Sequence, residues 1–107
     1  MKTYFLAMLA VCATAGCSDS QVQAIKDAGY LMRMNGLVCH FAATEMTKVN
    51  TWLDEVIKEH PALAEYARKG AAEADAVAER HKAASDGQQL NIAECNNVHA
   101  MAMKWPG

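Results

Sequence analysis

From Val22 to Ile57, mostly apolar or small residues recur in unbroken steps of three and four: Val22, Ile25, Gly29, Met32, Gly36, Cys39, Ala43, Met46, Asn50, Leu53, Ile57. At 3.6 residues per turn, that spacing lays one stripe along an α-helix. A flanking series, Val38, Phe41, Ala42, Val49, Trp52 and Val56, widens the stripe beyond Gly36, so the second half should bury more. No stretch alternates at period two over the length of a strand. The weak point is Asn35-Gly36, a pair that resembles a helix C-cap with a left-handed residue. Glycine inside a helix also costs about 1 kcal/mol relative to alanine. The spacing predicts helix to Met34, a kink or short break near Gly36, and helix again to about Lys58. A break lets Ser20–Met34 fold against the rest, whereas an unbroken helix makes it a stalk.

Pro61 closes this segment, because the residue before a proline is pushed toward extended geometry. Proline also suits the first position of a following helix, where its missing N–H costs nothing. That second helix is expected to run to about Ala84. Its inner stripe is Leu63, Tyr66/Ala67, Gly70, Ala74, Val77, His81 and Ala84, mostly small residues that permit close backbone approach. Glu65, Arg68, Lys69, Glu73, Asp75, Glu79, Arg80 and Lys82 form a solvated face, and Asp86-Gly87 ends the helix. Ser20-x-x-Gln23 and Asn91-x-x-Glu94 read as capping boxes, and Leu90 with Cys95 has hydrophobic-staple spacing. A third helix should therefore run from Asn91 to about Lys104, before Trp105-Pro106-Gly107 stops it. The expected fold is all-α: a small three-helix up-down-up bundle, the first helix kinked near Gly36.

Helix lengths test whether cysteines meet. If the second helix returns antiparallel to the first from His60, residue n lies level with roughly residue 119 − n. Ala84 is then level with Asn35, and Cys95 with Cys39. The expected disulfide, Cys39–Cys95, closes a loop of roughly 55 residues, worth about 4 kcal/mol on chain entropy. A staple matters at this size, where one domain buries only a modest core.

The first residues have the layout of a secretory signal: Lys2, an uncharged apolar run from Tyr4 to Val11, then Ala13-Thr14-Ala15-Gly16-Cys17. Small residues ending in Gly16-Cys17 resemble the lipobox of bacterial lipoproteins. That resemblance covers Met1 to Ser18 and implies cleavage before Cys17, whose thiol carries the lipid. It also implies a palmitate-type anchor. In a Gram-negative host, Ser18 resembles the outer-membrane signal, since Asp at that place favours inner-membrane retention. The alternative is an ordinary cut after Ala15, at Ala13-Thr14-Ala15. Cys12 is lost either way. Lipidation leaves Cys39 and Cys95 as an even pair, while the other cut leaves an odd thiol in an oxidising compartment. The apolar run, about a dozen residues, is short of the roughly 20 that span a bilayer, and no later segment is long and apolar enough. The domains read as 1–16 signal peptide, 17–19 anchor and tether, and 20–107 helical domain.

Two other constellations invite a chemical reading. Cys39, His40, His81, Cys95 and His99 fall near one level and could hold zinc, although exported thiols oxidise and favour the disulfide. His99-x-Met101-x-Met103 and Met32-x-Met34 have thioether–imidazole chemistry suited to Cu(I), although on a helix only His99 and Met103 share a face. Nucleophile-elbow, zincin, phosphate-loop, C-x-x-C and haem-attachment motifs are missing. The formal charge of −2 comes without a basic patch, against nucleic acid as a partner. Trp52 and Trp105 lie near one another in the level scheme, as end-of-bundle core or as an exposed aromatic anchor for a partner. The expected function is therefore non-enzymatic and without a cofactor. It is a small exported, lipid-anchored protein facing the periplasm, binding another protein as an accessory, inhibitor or immunity module. The alternative is a periplasmic copper or zinc binder using His99, Met101 and Met103, with His40 or His81.

Overall fold

The computed structural model describes residues 19–105. Cys17, the expected lipidation site, and the signal segment lie outside the described residues. Among the described residues four α-helices follow in order: α1 (Asp19–Met34), α2 (Thr47–Glu59), α3 (Ala64–Ala83) and α4 (Gly87–Lys104). Among the described residues all regular structure is helical, and no helix is long and apolar enough to cross a membrane.

The expected long first helix is two helices. Past Met34 the chain widens into a five-residue π-turn, Asn35–Cys39, closed by the His40 amide donating to the Asn35 carbonyl at 2.8 Å. His40 itself adopts the left-handed conformation, with φ 56° and ψ 37°. A kink or short break was expected near Gly36; the chain instead reverses, and the left-handed residue sits four positions later. Asn35 holds the returning strand: its Oδ1 accepts from the Phe41 amide at 2.6 Å and its Nδ2 donates to the Phe41 carbonyl at 3.3 Å. α2 then runs back along α1. Val56 shares a core cluster with Ile25 near one end, and Met46 and Val49 share another with Leu31 and Met34 near the other.

α3 runs parallel to α1. Leu63 packs with Ile25 at its start, and Ala74 and Val77 cluster with Leu31 and Met34 farther on. The two helices touch backbone to backbone. A Cβ at Gly29 would overlap the Ala67 carbonyl, and one at Gly70 the Lys26 carbonyl. Small residues at both positions set this approach, as the inner stripe of α3 predicts. Between α2 and α3 the expectation holds locally: His60 is extended (φ −135°, ψ 76°) and Pro61 opens a 3₁₀ turn leading into α3. α4 turns back along α3, adding Val98, Ala102 and Trp105 to the main core. The topology is up-down-up-down rather than up-down-up.

Neither capping box forms. Ser20 lies inside α1, and Gln23 Nε2 donates instead to Asp27 Oδ1 at 2.8 Å. α4 begins at Gly87 with Asp86 at its N-cap, four residues before the expected start. Asn91 and Glu94 therefore sit within the helix and are used across it rather than along it. His81 Nδ1 lies 2.7 Å from Asn91 Oδ1. The hydroxyl of Tyr30 is hydrogen-bonded to Glu94, and burial first, then this carboxylate, pushes its pKa up to about 12. Leu90 is exposed and does not act as a staple.

Candidate functional site

α4 is attached to the bundle by a ladder of unlike contacts. The first is the disulfide between Cys39 and Cys95, with Cα atoms 5.5 Å apart and a separation of 56 positions in sequence. One turn on, His99 Nε2 donates to Glu45 Oε1 at 3.1 Å, and its ring meets Phe41 with centroids 4.9 Å apart. The other oxygen of Glu45 accepts from the Ala42 amide, so one carboxylate orders the reversal and fastens α4 to it. Lys48 Nζ donates to the Met103 carbonyl at 3.0 Å, near the end of α4 where helix carbonyls lack intrahelical partners. Trp52 and Trp105 then meet edge to face at 5.2 Å.

These contacts occupy several of the candidate residues. Cys39 and Cys95 are consumed by their bond. His40 is exposed on the reversal, His81 is turned to Asn91, and His99 to Glu45. Among the described residues no group of three or more His, Cys, Asp or Glu is placed to hold a metal ion. Met101 and Met103 are both exposed. An i, i+2 pair cannot share a helix face.

Trp105 corrects the exposed-anchor expectation. It is only 7% exposed and belongs to the main core. The reason lies in the backbone: past Lys104 the chain turns extended at Trp105 (φ −62°, ψ 142°), and the indole packs on half-buried Trp52. The aromatic pair closes the core instead of presenting a surface.

The accessible features lie elsewhere. A shallow groove of about 350 Å³ runs between α1 and α3, lined by Gly29, Met32, Arg33, Ala67, Arg68 and Ala71. Arg33 on its rim is held by Asp75 at 2.8 Å. The stronger contrast is between the outer faces of α3 and α4. Glu65, Arg68, Lys69, Glu73, Asp75, Glu79, Arg80 and Lys82 are all exposed on α3. On α4 no exposed residue from Gln88 to Met103 carries a charge. One face of α4 shows Ile92 at 58% and Met103 at 46% exposure, and Met101 and Leu90 are exposed on another side of the helix. Sequence reasoning singled out Met101 and Met103 as possible ligands and missed this surface. The available signal was the lack of charge along α4 between Asp86 and Lys104, apart from half-buried Glu94.

These features define a small, disulfide-stapled four-helix bundle with one uncharged outer helix face. Comparison of the chain with known protein families, curated proteins and solved structures finds no match.

Proposed function

We propose that this is an exported, lipid-anchored domain of the bacterial cell envelope that acts by binding protein rather than by catalysis. The observation that carries the binding half is the outer face of α4. Its neighbour α3 keeps eight charged side chains in solvent, while α4 offers water a charge-free surface bearing Ile92 and Met103. Exposed apolar surface of this kind marks interaction sites. The compartment half rests on cysteine use. A structural Cys39–Cys95 bond suits an oxidising compartment, and Gly16-Cys17 leaves Cys17 as the residue to carry lipid. In a Gram-negative host, Ser18 favours the outer membrane, with the bundle facing the periplasm.

Two measurements test the reading. Cys17→Ser should abolish incorporation of labelled palmitate and release the chain from the membrane fraction, or leave the signal uncut. Unchanged anchoring and processing would overturn the lipoprotein half. A photoreactive side chain at Ile92 should cross-link to protein in intact cells, and one at Glu73 should not. Equal yields from both positions would overturn the binding half.

A further inference from the structure

The outer face of α4 carries a second stripe at coiled-coil spacing. Gln89, Ile92, Asn96, Ala100 and Met103 step by three, four, four and three, with Ala93 beside Ile92, and all are exposed. The core-facing residues of α4 (Val98, Ala102, Trp105) lie on the opposite side. An exposed stripe of this period on a helix already seated in a bundle is a seam without its second helix.

We infer that this seam pairs with the same seam of a second copy of this chain, antiparallel about a two-fold axis at Asn96. The inference rests on the reading of α4 as an interaction face and names its occupant. Three features of the stripe select a second copy. The first is size. With Asn96 on the axis, Ile92 faces Ala100 of the second copy and Gln89 faces Met103, so large residues meet small or flexible ones at both ends. Facing large and small positions is what lets helices interdigitate at 8–10 Å. The second is charge. Asp86 and Lys104 are both exposed, and at about 100° per residue both fall on one flank of the stripe. Antiparallel pairing brings Lys104 of each copy level with the residues next to Asp86 of the other, giving two reciprocal opposite-charge contacts. A parallel pair would leave the two Lys104 on opposite flanks at one end and the two Asp86 at the other, so neither charge would meet its opposite. The third is polarity. The one Asn of the seam sits on the axis and meets its own copy amide to amide, and an Asn at such a position is a known determinant of register and partner number.

α4 has 18 residues, and the seam from Gln89 to Met103 covers about 21 Å of its length. A single helix seam of that length buries less than the roughly 800 Å² per partner of a standard interface, and the dimer is therefore a weak one. Confinement of both copies to one surface would raise its population without new contacts.

The test uses the purified full chain in detergent at roughly 0.1 mM, where weak pairs are populated. With oxidised glutathione present, Asn96→Cys should give a disulfide-linked dimer. The parent chain sets the background, and Glu73→Cys on the charged face of α3 should not exceed it. Ala100→Glu added to Asn96→Cys should lower the linked fraction at least tenfold. Sedimentation of the otherwise unaltered chain should show a dimer weakened at least tenfold by Ile92→Glu. Both are exposed positions, so the thermal midpoint reports that the fold is intact. No dimer, equal linkage from Glu73→Cys, or a dimer indifferent to Ala100→Glu would overturn the pairing. A monomer whose Ile92 cross-links to a different protein would overturn the pairing and leave the protein-binding reading standing. None of these readouts depends on export or lipid, so failure of the anchor reading is separable.

Discussion

The side-chain amide of Asn35 grips the backbone of Phe41 at both ends, accepting from its N–H at 2.6 Å and donating to its carbonyl at 3.3 Å. Six residues apart, these two close the reversal that turns one helical stripe into two antiparallel helices. Replacing Asn35 with Ala leaves two half-buried backbone groups short of a partner. An unmade hydrogen bond of this kind costs about 1–3 kcal/mol. Asn35→Asp keeps the acceptor and loses the donor, so it should fall between parent and Ala. Denaturant unfolding of the three proteins checks the order.

His40 carries the left-handed backbone of the same reversal. A side chain there costs of order 1–2 kcal/mol against the Cβ, partly offset in unfolded-state entropy when glycine replaces it. The imidazole is exposed, so little packing is lost. His40→Gly should raise stability by about 0.5–1 kcal/mol. A thermal midpoint lower than the parent's would show that the imidazole holds a contact worth more than the strain.

Gly29 and Gly70 lie where α1 and α3 touch. A methyl group at either meets backbone carbonyl rather than a flexible side chain, so the helices must move apart. Overpacking typically costs about 1–3 kcal/mol, and here it outweighs the gain of under 1 kcal/mol that alanine brings to a helix interior. Gly70→Ala should therefore destabilise despite its better helix propensity. Gly36→Ala is the control: nothing lies within 4 Å of a Cβ built there. Melting both variants distinguishes a packing requirement from a backbone one.

The helical class, the break between Met34 and α2, the turn at Pro61 and the Cys39–Cys95 bond were all legible in the sequence. The reversal was not, because periodicity reports which face of a helix is buried and not the direction of its axis. The three-four stripe stays in phase from Val22 to Ile57 even though the chain doubles back at His40. The level scheme matched Cys95 to Cys39 for a different reason from the one it used. It assumed α3 antiparallel to one long helix, whereas α3 runs parallel to α1 and both end near the π-turn. The capping boxes misled because Asn91 and Glu94 have stronger partners across the bundle, in His81 and Tyr30. The charge-free stripe of α4 was written in the sequence, but only the burial of its opposite face shows it to be an exterior.

Tyr30 gives the fold a limit in alkali. Its pKa is raised to about 12 by burial and by Glu94, against an ordinary value of 10. The folded state thus keeps its proton at pH values where the unfolded chain has released it. Stability from this group is complete below pH 10 and is lost as pH rises through about 12. Tyr30→Phe removes the titration. The parent should lose more stability than Tyr30→Phe between those two pH values, with the same lysines titrating in both. Parallel stability curves over that window would show that the hydroxyl is not held by Glu94 in the fold.

Trp105 closes the core against Trp52 just past the last turn of α4. Two kinds of loss follow from truncating it. The cavity and lost burial of an aromatic residue cost about 3–5 kcal/mol, and the edge-to-face contact with Trp52 adds about 0.5–1.5 kcal/mol. Some of this is recovered if neighbouring core side chains relax into the space. Trp105→Ala should therefore lower stability by about 3 kcal/mol, which in a domain of this size lowers the thermal midpoint by more than 10 °C. Trp105→Phe should restore part of it by refilling the core. Met103→Ala, two residues earlier on the exposed seam, should change the midpoint by very little. If Trp105→Ala melts with the parent instead, the indole contributes nothing to the core and the other contacts of α4 hold its end.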